Sequence, residues 1–415
     1  MENLFLDPTL IIILAGLIGF FMAFGIGAND VANAMGTSVG SKAITLKQAV
    51  IIAAIFEFLG AYFAGGEVTS TIRKGIVDPS IYSNDVNIFI IGMLSSLLAA
   101  GLWLLIASSK GWPVSTTHSI VGAIVGFVLI SKGASNVSWG TVGGIASSWI
   151  TSPLVSGLMA FLLYLSAKHL ILDRNNPTKA AVSVIPFYSF FVTAVICLVT
   201  ARKVLKHVGI NWTDNEIYLF TFVLSLLVSV FTFLFLLLKS SKLSSNVENQ
   251  FGILMIITAC AMAFAHGSND VANAIGPIAA VVSIVTSDGT IQTSSELNSW
   301  VLLLGAVGIV FGLAILGRHV IKTVGEKITT LTPSLGFSAN MATASTVLAA
   351  SYLGFPISTT HTLVGGVIGV GLARGYKYLD LNSIKRIFLS WIITIPVGAT
   401  FTILFYVILR LIFNV

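Results

Sequence analysis

Charged residues are scarce in this sequence of 415 residues: Asp, Glu, Lys and Arg make up 9% of it, while 56% is hydrophobic. A soluble domain carries about 25% charged residues, so the composition excludes an ordinary soluble globular protein. Cysteine is also rare, and both Cys197 and Cys260 lie in apolar segments. Two such residues exclude a disulfide framework and a cysteine metal site, and they predict ordinary buried packing.

Two further classes of protein are excluded by what the sequence lacks. No P-loop for ATP is present, and no nucleophile stands in a pattern with a base, so we expect neither an enzyme nor a bound cofactor. The net charge of +6 does not indicate a nucleic-acid partner. Lys and Arg cluster in short loops, where they orient a membrane protein by the positive-inside rule.

Long apolar runs recur from one end of the chain to the other. A helix needs about 20 such residues to cross a membrane, so the sequence predicts an all-α polytopic membrane protein surrounded by lipids. The run at 338–352 is too short to cross comfortably, and some elements are expected to be half-spans. The roughly twelve predicted elements lie near 9–35, 43–65, 86–108, 113–131, 139–166, 181–206, 214–239, 250–286, 299–316, 338–352, 355–373 and 384–412.

Two nearly identical octets each place one Asp and two Asn inside a long apolar run: GANDVANA at Gly27–Ala34 and GSNDVANA at Gly267–Ala274. A charge at such depth costs roughly 2.5–3.5 kcal/mol on insertion scales, which makes it a functional-site hypothesis. Hard oxygen ligands suit a small metal cation. The alternative is polar contact between helices. The predicted sodium ligands are Asn29, Asp30, Asn33, Asn269, Asp270 and Asn273.

Glycines flank both octets, and Asn and Asp compete with the backbone for hydrogen bonds. Both features weaken a helix. We therefore expect the helix to be broken or distorted at each octet, which would free backbone carbonyls as further cation ligands.

A second pair of motifs opens two apolar helices after a Gly/Pro break: WPVSTTH at Trp112–His118 and FPISTTH at Phe355–His361. A serine at such a position is a natural N-cap. The following turn offers free N–H groups and the positive end of the helix dipole, which suit an anion. Threonine hydroxyls add neutral donors for a tetrahedral oxyanion that must later leave. The predicted anion ligands are Ser115, Thr116, Thr117, Ser358, Thr359 and Thr360, with Asn29 and Asn269.

The alternative interpretation of these two motifs is that they only cap two helices and bind no ligand. His118 and His361, which end them, are expected to be structural hydrogen-bonding residues rather than ligands.

The two halves of the chain are copies of one unit. Trp112–Gly126 matches Phe355–Gly369 almost residue by residue, in the same order as the octets. We therefore predict a first transmembrane repeat at 9–166 and a second at 250–412. The stretch 167–249 is predicted to be an inserted helical pair followed by a short cytoplasmic linker.

Loop charge predicts that the second repeat is inverted relative to the first. Lys42 and Lys47 follow the first octet, which indicates the cytoplasm. The loop after the second octet carries Asp288 and Glu296 without Lys or Arg, which indicates the opposite side. Inverted repeats are typical of transporters whose substrate binds at the repeat interface.

The two kinds of motif explain each other. Asp30 and Asp270 would repel a bound anion by about 4 kcal/mol each at about 4 Å and an effective dielectric near 20. Cations between carboxylate and anion reverse the sign, so anion affinity depends on cation occupancy. The residues therefore favour cation-driven anion symport over an anion channel.

Glu57 is another intramembrane carboxylate, but its counterpart in the second repeat is Leu302. Glu57 is therefore not one of the residues that the two repeats share. It could tune ion coupling, or it could pair with a buried donor.

The octets and the paired P-[VI]-S-T-T-H segments resemble the inorganic phosphate transporter (PiT) family, and the resemblance covers both repeats. It implies secondary uptake of phosphate with Na⁺ or H⁺. It further implies an inverted-repeat fold with two re-entrant hairpins and a homodimer.

We therefore predict an alternating-access sodium:phosphate symporter that is multi-pass in the plasma (inner) membrane. Sodium is favoured because the Asn and hydroxyl groups around each Asp are hard oxygen ligands. A proton-coupled phosphate permease and a sulfate permease remain the alternatives, since the family also contains sulfate permeases.

Overall fold

The structure is a computed structural model that describes residues 4, 6–207, 209–239, 246–291, 297–321 and 330–415. This part of the chain is helical and contains no β-strand, only an isolated bridge between Val77 and Val137. The long helices are α1 (Pro8–Gly40), α2 (Leu46–Ala64), α3 (Val86–Ser109), α4 (Thr116–Ser131), α5 (Trp139–Ala167), α6 (Pro177–His207), α7 (Asp214–Lys239), α8 (Val247–Asp270), α9 (Ala272–Thr286), α10 (Ser299–Ile315), α11 (Pro333–Tyr352), α12 (Thr359–Arg374) and α13 (Leu381–Phe413).

The prediction of an all-α polytopic membrane protein is confirmed. Every predicted apolar run coincides with a helix, with ends shifted by a few residues, and α8 with α9 covers the run at 250–286. Eight helices of the described ranges are long and apolar enough to cross a membrane. Large apolar side chains lie exposed on the outside, up to 80% for Leu238. Such a surface would be an aggregation hazard in water and suits lipid.

The first octet lies inside α1, which runs without interruption from Pro8 to Gly40. The prediction of a broken helix was therefore wrong at this octet. In the second octet the helix is interrupted only at Val271, which keeps helical dihedral angles (φ −56°, ψ −32°). Tertiary packing outweighs the cost of about 1 kcal/mol for a glycine in a helix. A continuous α1 keeps its backbone carbonyls within the helix, so the first octet would offer a cation side-chain atoms only.

The glycines beside the octets serve close helix packing instead. A Cβ on Gly27 would lie 1.9 Å from the carbonyl oxygen of Ile309 in α10. A Cβ on Gly267 would lie 2.2 Å from that of Glu57 in α2. Small residues let membrane helices approach this closely. As a result α1 packs along α10 and α8 along α2, and likewise α4 packs along α13 and α12 along α5.

Two helical hairpins reach into the molecule. α3 pairs with α4, and α11 pairs with α12. At the tips the chain reverses through Gly111 (φ 65°) and Gly354 (φ 72°), a backbone region that favours glycine. Ser115 and Ser358 then accept a hydrogen bond at 3.2 Å from the backbone N–H three residues later. The two predicted N-caps are confirmed.

The two helices of the predicted insert, α6 and α7, pack on each other, and α6 also lies against α8, α2 and α11. Near the end of α6, the buried Lys203 donates to the carbonyl oxygen of Ser351 at 2.7 Å. Ser351 belongs to the tip of the second hairpin, so the insert braces one hairpin.

Candidate transport site

Both octets and both hairpin tips meet in the interior of the protein. Asp30 and Asp270 each place a carboxylate oxygen within 4.8 Å of the other and of a ring nitrogen of His266. The structure therefore gathers the predicted ligands into one region, and each is at most 2% exposed. These residues are Asn29, Asp30, Asn33, Ser115, Thr116, Thr117, Asn269, Asp270, Asn273, Ser358, Thr359 and Thr360.

The first Asn of each octet holds the tip of one hairpin. Asn29 Nδ2 donates to Ser108 Oγ at 3.2 Å. At the matching position of the second half, Asn269 Nδ2 donates to Ser351 Oγ at 2.9 Å. Each octet is thereby fixed to the hairpin of its own predicted repeat.

The second Asn of each octet crosses to the other hairpin. Asn33 Nδ2 donates to Thr360 Oγ1 at 2.9 Å and to the preceding threonine at 3.2 Å. Asn273 Nδ2 donates to Thr117 Oγ1 at 3.4 Å and to the preceding threonine at 3.3 Å. The two predicted repeats are therefore joined through these four bonds.

The starts of α4 and α12 meet directly. Thr117 Oγ1 donates to the carbonyl oxygen of Ile357 at 3.0 Å, and Thr360 Oγ1 lies 3.2 Å from that of Val114. The first N–H groups of a helix have no partner within it. Two helix N-termini, each with a partial positive charge, thus converge where the sequence predicts the anion.

Each buried aspartate accepts protein hydrogen bonds through one of its two carboxylate oxygens. Asp30 Oδ1 accepts from Asn33 Nδ2 at 3.0 Å, and Asp270 Oδ2 accepts from Thr359 Oγ1 at 2.7 Å. Within the described residues, Asp30 Oδ2 and Asp270 Oδ1 accept no hydrogen bond. An unsatisfied buried carboxylate oxygen is costly, and a cation would stabilise it.

The amide oxygens differ between the two octets. In the described chain, Asn269 Oδ1 and Asn273 Oδ1 are buried without a hydrogen-bond partner. In contrast, Asn29 Oδ1 accepts the backbone N–H of Val114 at 3.2 Å. The second octet therefore holds three unsatisfied oxygens, including that of Asp270.

His266 was not selected by the sequence analysis, yet it lies between two carboxylates. Its Nε2 is 3.1 Å from Asp270 Oδ2, and its Nδ1 is 3.3 Å from Glu57 Oε1, with all three side chains fully buried. The angles of both contacts depart from those of hydrogen bonds. The sequence did carry a signal. A histidine stands directly before the second octet, whereas Ile26 stands directly before the first.

Glu57, for which the sequence left two interpretations open, is thus paired with a buried side chain that itself contacts the predicted site.

His118 and His361 lie behind the hairpin tips. Their rings are 4.4 Å apart, and each Nδ1 contacts a backbone carbonyl, that of Trp391 at 3.2 Å or that of Trp149 at 3.1 Å. These contacts agree with the expected structural role.

A bundle of apolar helices that encloses paired polar octets and two converging helix N-termini defines a membrane transporter with an internal binding site. The comparison with known families makes this specific, since the model of the phosphate transporter family matches residues 26–402. The chain belongs to this family of transporters and is not an enzyme, as the sequence predicted.

Named relatives support this assignment. A protein of Haemophilus influenzae named "Putative phosphate permease" is 51% identical over 407 residues, which is 97% of each chain. The Arabidopsis thaliana "Inorganic phosphate transporter 2-1, chloroplastic" is 43% identical, covering 94% of this chain and 70% of its own. A solved structure named "The sodium-dependent phosphate transporter" superimposes with a TM-score of 0.87 at 43% identity, covering 97% of this chain and 99% of that one.

Proposed function

We propose that this transporter imports inorganic phosphate together with sodium ions by alternating access, as a multi-pass protein of the plasma (inner) membrane. The observation that carries the proposal is the meeting of two helix N-termini with two buried aspartates in one enclosed region. The helix ends suit the anion, and the aspartates suit the cations.

Phosphate is assigned to the turns at the start of α4 and α12. These turns supply backbone N–H groups and the hydroxyls of Ser115, Thr116 and Thr117 with their counterparts Ser358, Thr359 and Thr360. All donors are neutral, so the bound anion is held without a salt bridge and can be released. Asn29 and Asn269 anchor the hairpins that carry these turns.

Sodium is assigned to the octet side chains Asn29, Asp30, Asn33, Asn269, Asp270 and Asn273. The unpartnered oxygens of Asp30 and of the second octet support this assignment, and so does the likeness to a solved transporter that is named as sodium-dependent. Each bound cation would convert a repulsion of about 4 kcal/mol between carboxylate and phosphate into an attraction. Coupling is thus a consequence of charge and works in both directions.

Alternating access is supported by the burial of the ligands. With every proposed ligand at most 2% exposed, ions can enter or leave only when helices or hairpin tips move. α1 of the first predicted repeat packs on α10 of the second, and α8 of the second packs on α2 of the first. This packing supports the repeats at 9–166 and 250–412 as the two units that rock against each other.

Uptake of radiolabelled phosphate by proteoliposomes containing the purified protein tests the proposal. An inward sodium gradient should stimulate uptake at least tenfold over an equal potassium gradient, with protein-free liposomes as control. Stimulation by a proton gradient alone would support proton coupling instead. Competition of phosphate uptake by equimolar sulfate would support the sulfate permease, and uptake without either cation gradient would contradict symport.

We further propose a homodimer, which the family resemblance implies. Light scattering on the purified protein in detergent should give twice the mass of one chain after correction for detergent, and the mass of one chain would contradict it.

A further inference from the structure

The two halves of the proposed site differ in one set of residues. In the second half, His266 lies between Asp270 and Glu57. Beside the first octet, the matching positions are occupied by Ile26 and by Ile309, whose backbone lies against Gly27 as that of Glu57 lies against Gly267, and both are buried and apolar. The two octets therefore match in sequence, but only the second lies beside this buried row of carboxylate, imidazole and carboxylate.

One end of this row lies against a single oxygen of Asp270. His266 Nε2 and Thr359 Oγ1 both lie against the same oxygen, Oδ2, at 3.1 and 2.7 Å. The other oxygen, Oδ1, has no partner in the described chain, and neither have the amide oxygens of Asn269 and Asn273. Among the described residues, the second octet thus presents three buried oxygens without a hydrogen bond as potential cation ligands.

The first octet is arranged differently. Asp30 Oδ2 is likewise without a hydrogen bond in the described chain, but Asn29 Oδ1 accepts the N–H of Val114. A cation that takes Asn29 Oδ1 as a ligand has to displace this hydrogen bond, whereas Asn269 Oδ1 accepts none from the described residues. The first half-site is therefore less prepared for a cation than the second.

Glu57 contacts His266 through the ring nitrogen that faces away from Asp270. Apart from His266, the described part of the chain gives neither of its carboxylate oxygens a polar contact. An ionisable group buried in this way is destabilising unless it is paired. Its place beside the far nitrogen of His266 fixes the imidazole ring, as carboxylates do behind metal-binding histidines.

We propose that His266, braced by Glu57, is a positioning residue that prepares the second octet as the stronger cation site, so that sodium binds there before phosphate does. This inference rests on the proposed sodium-coupled function. It makes the two octets unequal in sodium affinity despite their matching sequences.

The chain supplies its own reference for a test. The double variant E57L/H266I gives the second half-site apolar side chains like the Ile26 and Ile309 of the first, and it removes the histidine together with the carboxylate beside it. The variant E57L/H266Q differs from it only in keeping a polar side chain with an N–H donor at position 266. The substitution I26V, at the matching depth of the first half, is the control.

Binding of ²²Na⁺ to the purified protein without phosphate is the readout, alongside the sodium dependence of phosphate uptake. We expect E57L/H266I to weaken sodium binding about 10- to 100-fold, the usual cost of losing an outer-shell partner. E57L/H266Q should recover most of this loss, and I26V should match wild type. The KM for phosphate at saturating sodium should stay within about threefold of wild type, which a general loss of structure would not allow.

Sodium binding by E57L/H266I within twofold of wild type would overturn the inference, as would equal weakening in E57L/H266Q. If E57L/H266I does not yield monodisperse protein, E57L alone decides. It keeps His266 but removes its brace, so about three- to tenfold weaker sodium binding is expected, and unchanged binding contradicts the proposal. Wild-type uptake that ignores sodium would instead refute the proposed function itself.

Discussion

At the scale of single residues, the proposed site is a set of buried polar side chains, each of which would be destabilising without the hydrogen bonds of the others. Asp30 and Asp270 are fully buried and close together, so each raises the cost of the other. Apart from His266 beside Asp270, the hydrogen-bonding neighbours described above are neutral amides and hydroxyls, which stabilise charge without neutralising it. In the proposed mechanism, the remaining charge is the reason that cations are needed.

Replacement of either aspartate by asparagine tests this view. D30N and D270N keep the size of the side chain but remove the charge that binds the cation. We expect each to lower sodium-driven phosphate uptake about 100-fold or more, since even outer-shell changes cost 10–100-fold at metal sites. Both variants should remain folded, as judged by size-exclusion chromatography.

The matched control is D173N, which changes an exposed aspartate away from the site and should retain full uptake. Full activity in both D30N and D270N would refute the assignment of the cation ligands.

At the scale of helices, glycine acts through contact rather than through breaking. The sequence showed glycines beside both octets, and helix propensity alone predicts a break there. In the structure α1 is continuous, because its glycine is needed where α10 crosses it. Intrinsic propensity is a weak guide when a close crossing supplies packing.

Alanine substitutions separate the two roles of glycine. A Cβ on Gly312 of α10 would lie 1.9 Å from the carbonyl oxygen of Phe24 in α1, whereas one on Gly144 of α5 meets nothing within 4 Å. We expect G312A to destabilise the protein by about 1–3 kcal/mol through overpacking. G144A should be neutral or stabilising by up to about 1 kcal/mol.

Thermal unfolding of the purified variants in detergent provides the comparison. Equal melting temperatures for G312A and wild type would show that the α1–α10 crossing is not tightly packed.

At the scale of the whole molecule, the two predicted repeats are interleaved rather than side by side. α1 lies along α10 and α8 lies along α2, and the two hairpin tips bond across the centre. A site built in this way belongs to neither half alone. Movement of one half against the other necessarily opens or closes it.

Inverted topology is tested by cysteine labelling in a C197A/C260A background. Lys47 follows the first octet and Thr290 follows the second, and both are exposed. With an impermeant maleimide on intact cells, T290C should be labelled, while K47C should react only after permeabilisation. Labelling of both positions from the same side would contradict the inversion of the second repeat.

The sequence determined the class of the protein and the identity of most proposed ligands. Apolar length forces membrane helices, and the repetition of Asp, Asn and Ser-Thr-Thr segments marks polar groups that a membrane interior tolerates only for function. These are local properties, readable from residue type and spacing.

Only the tertiary structure decided that α1 stays helical through its octet, that each octet touches both hairpins, and that His266 stands between Glu57 and Asp270. The contacts of Asn33 with Thr360 and of Glu57 with His266 join residues more than 200 positions apart in the chain. They depend on which helix crosses which, and no local pattern of residues specifies a crossing.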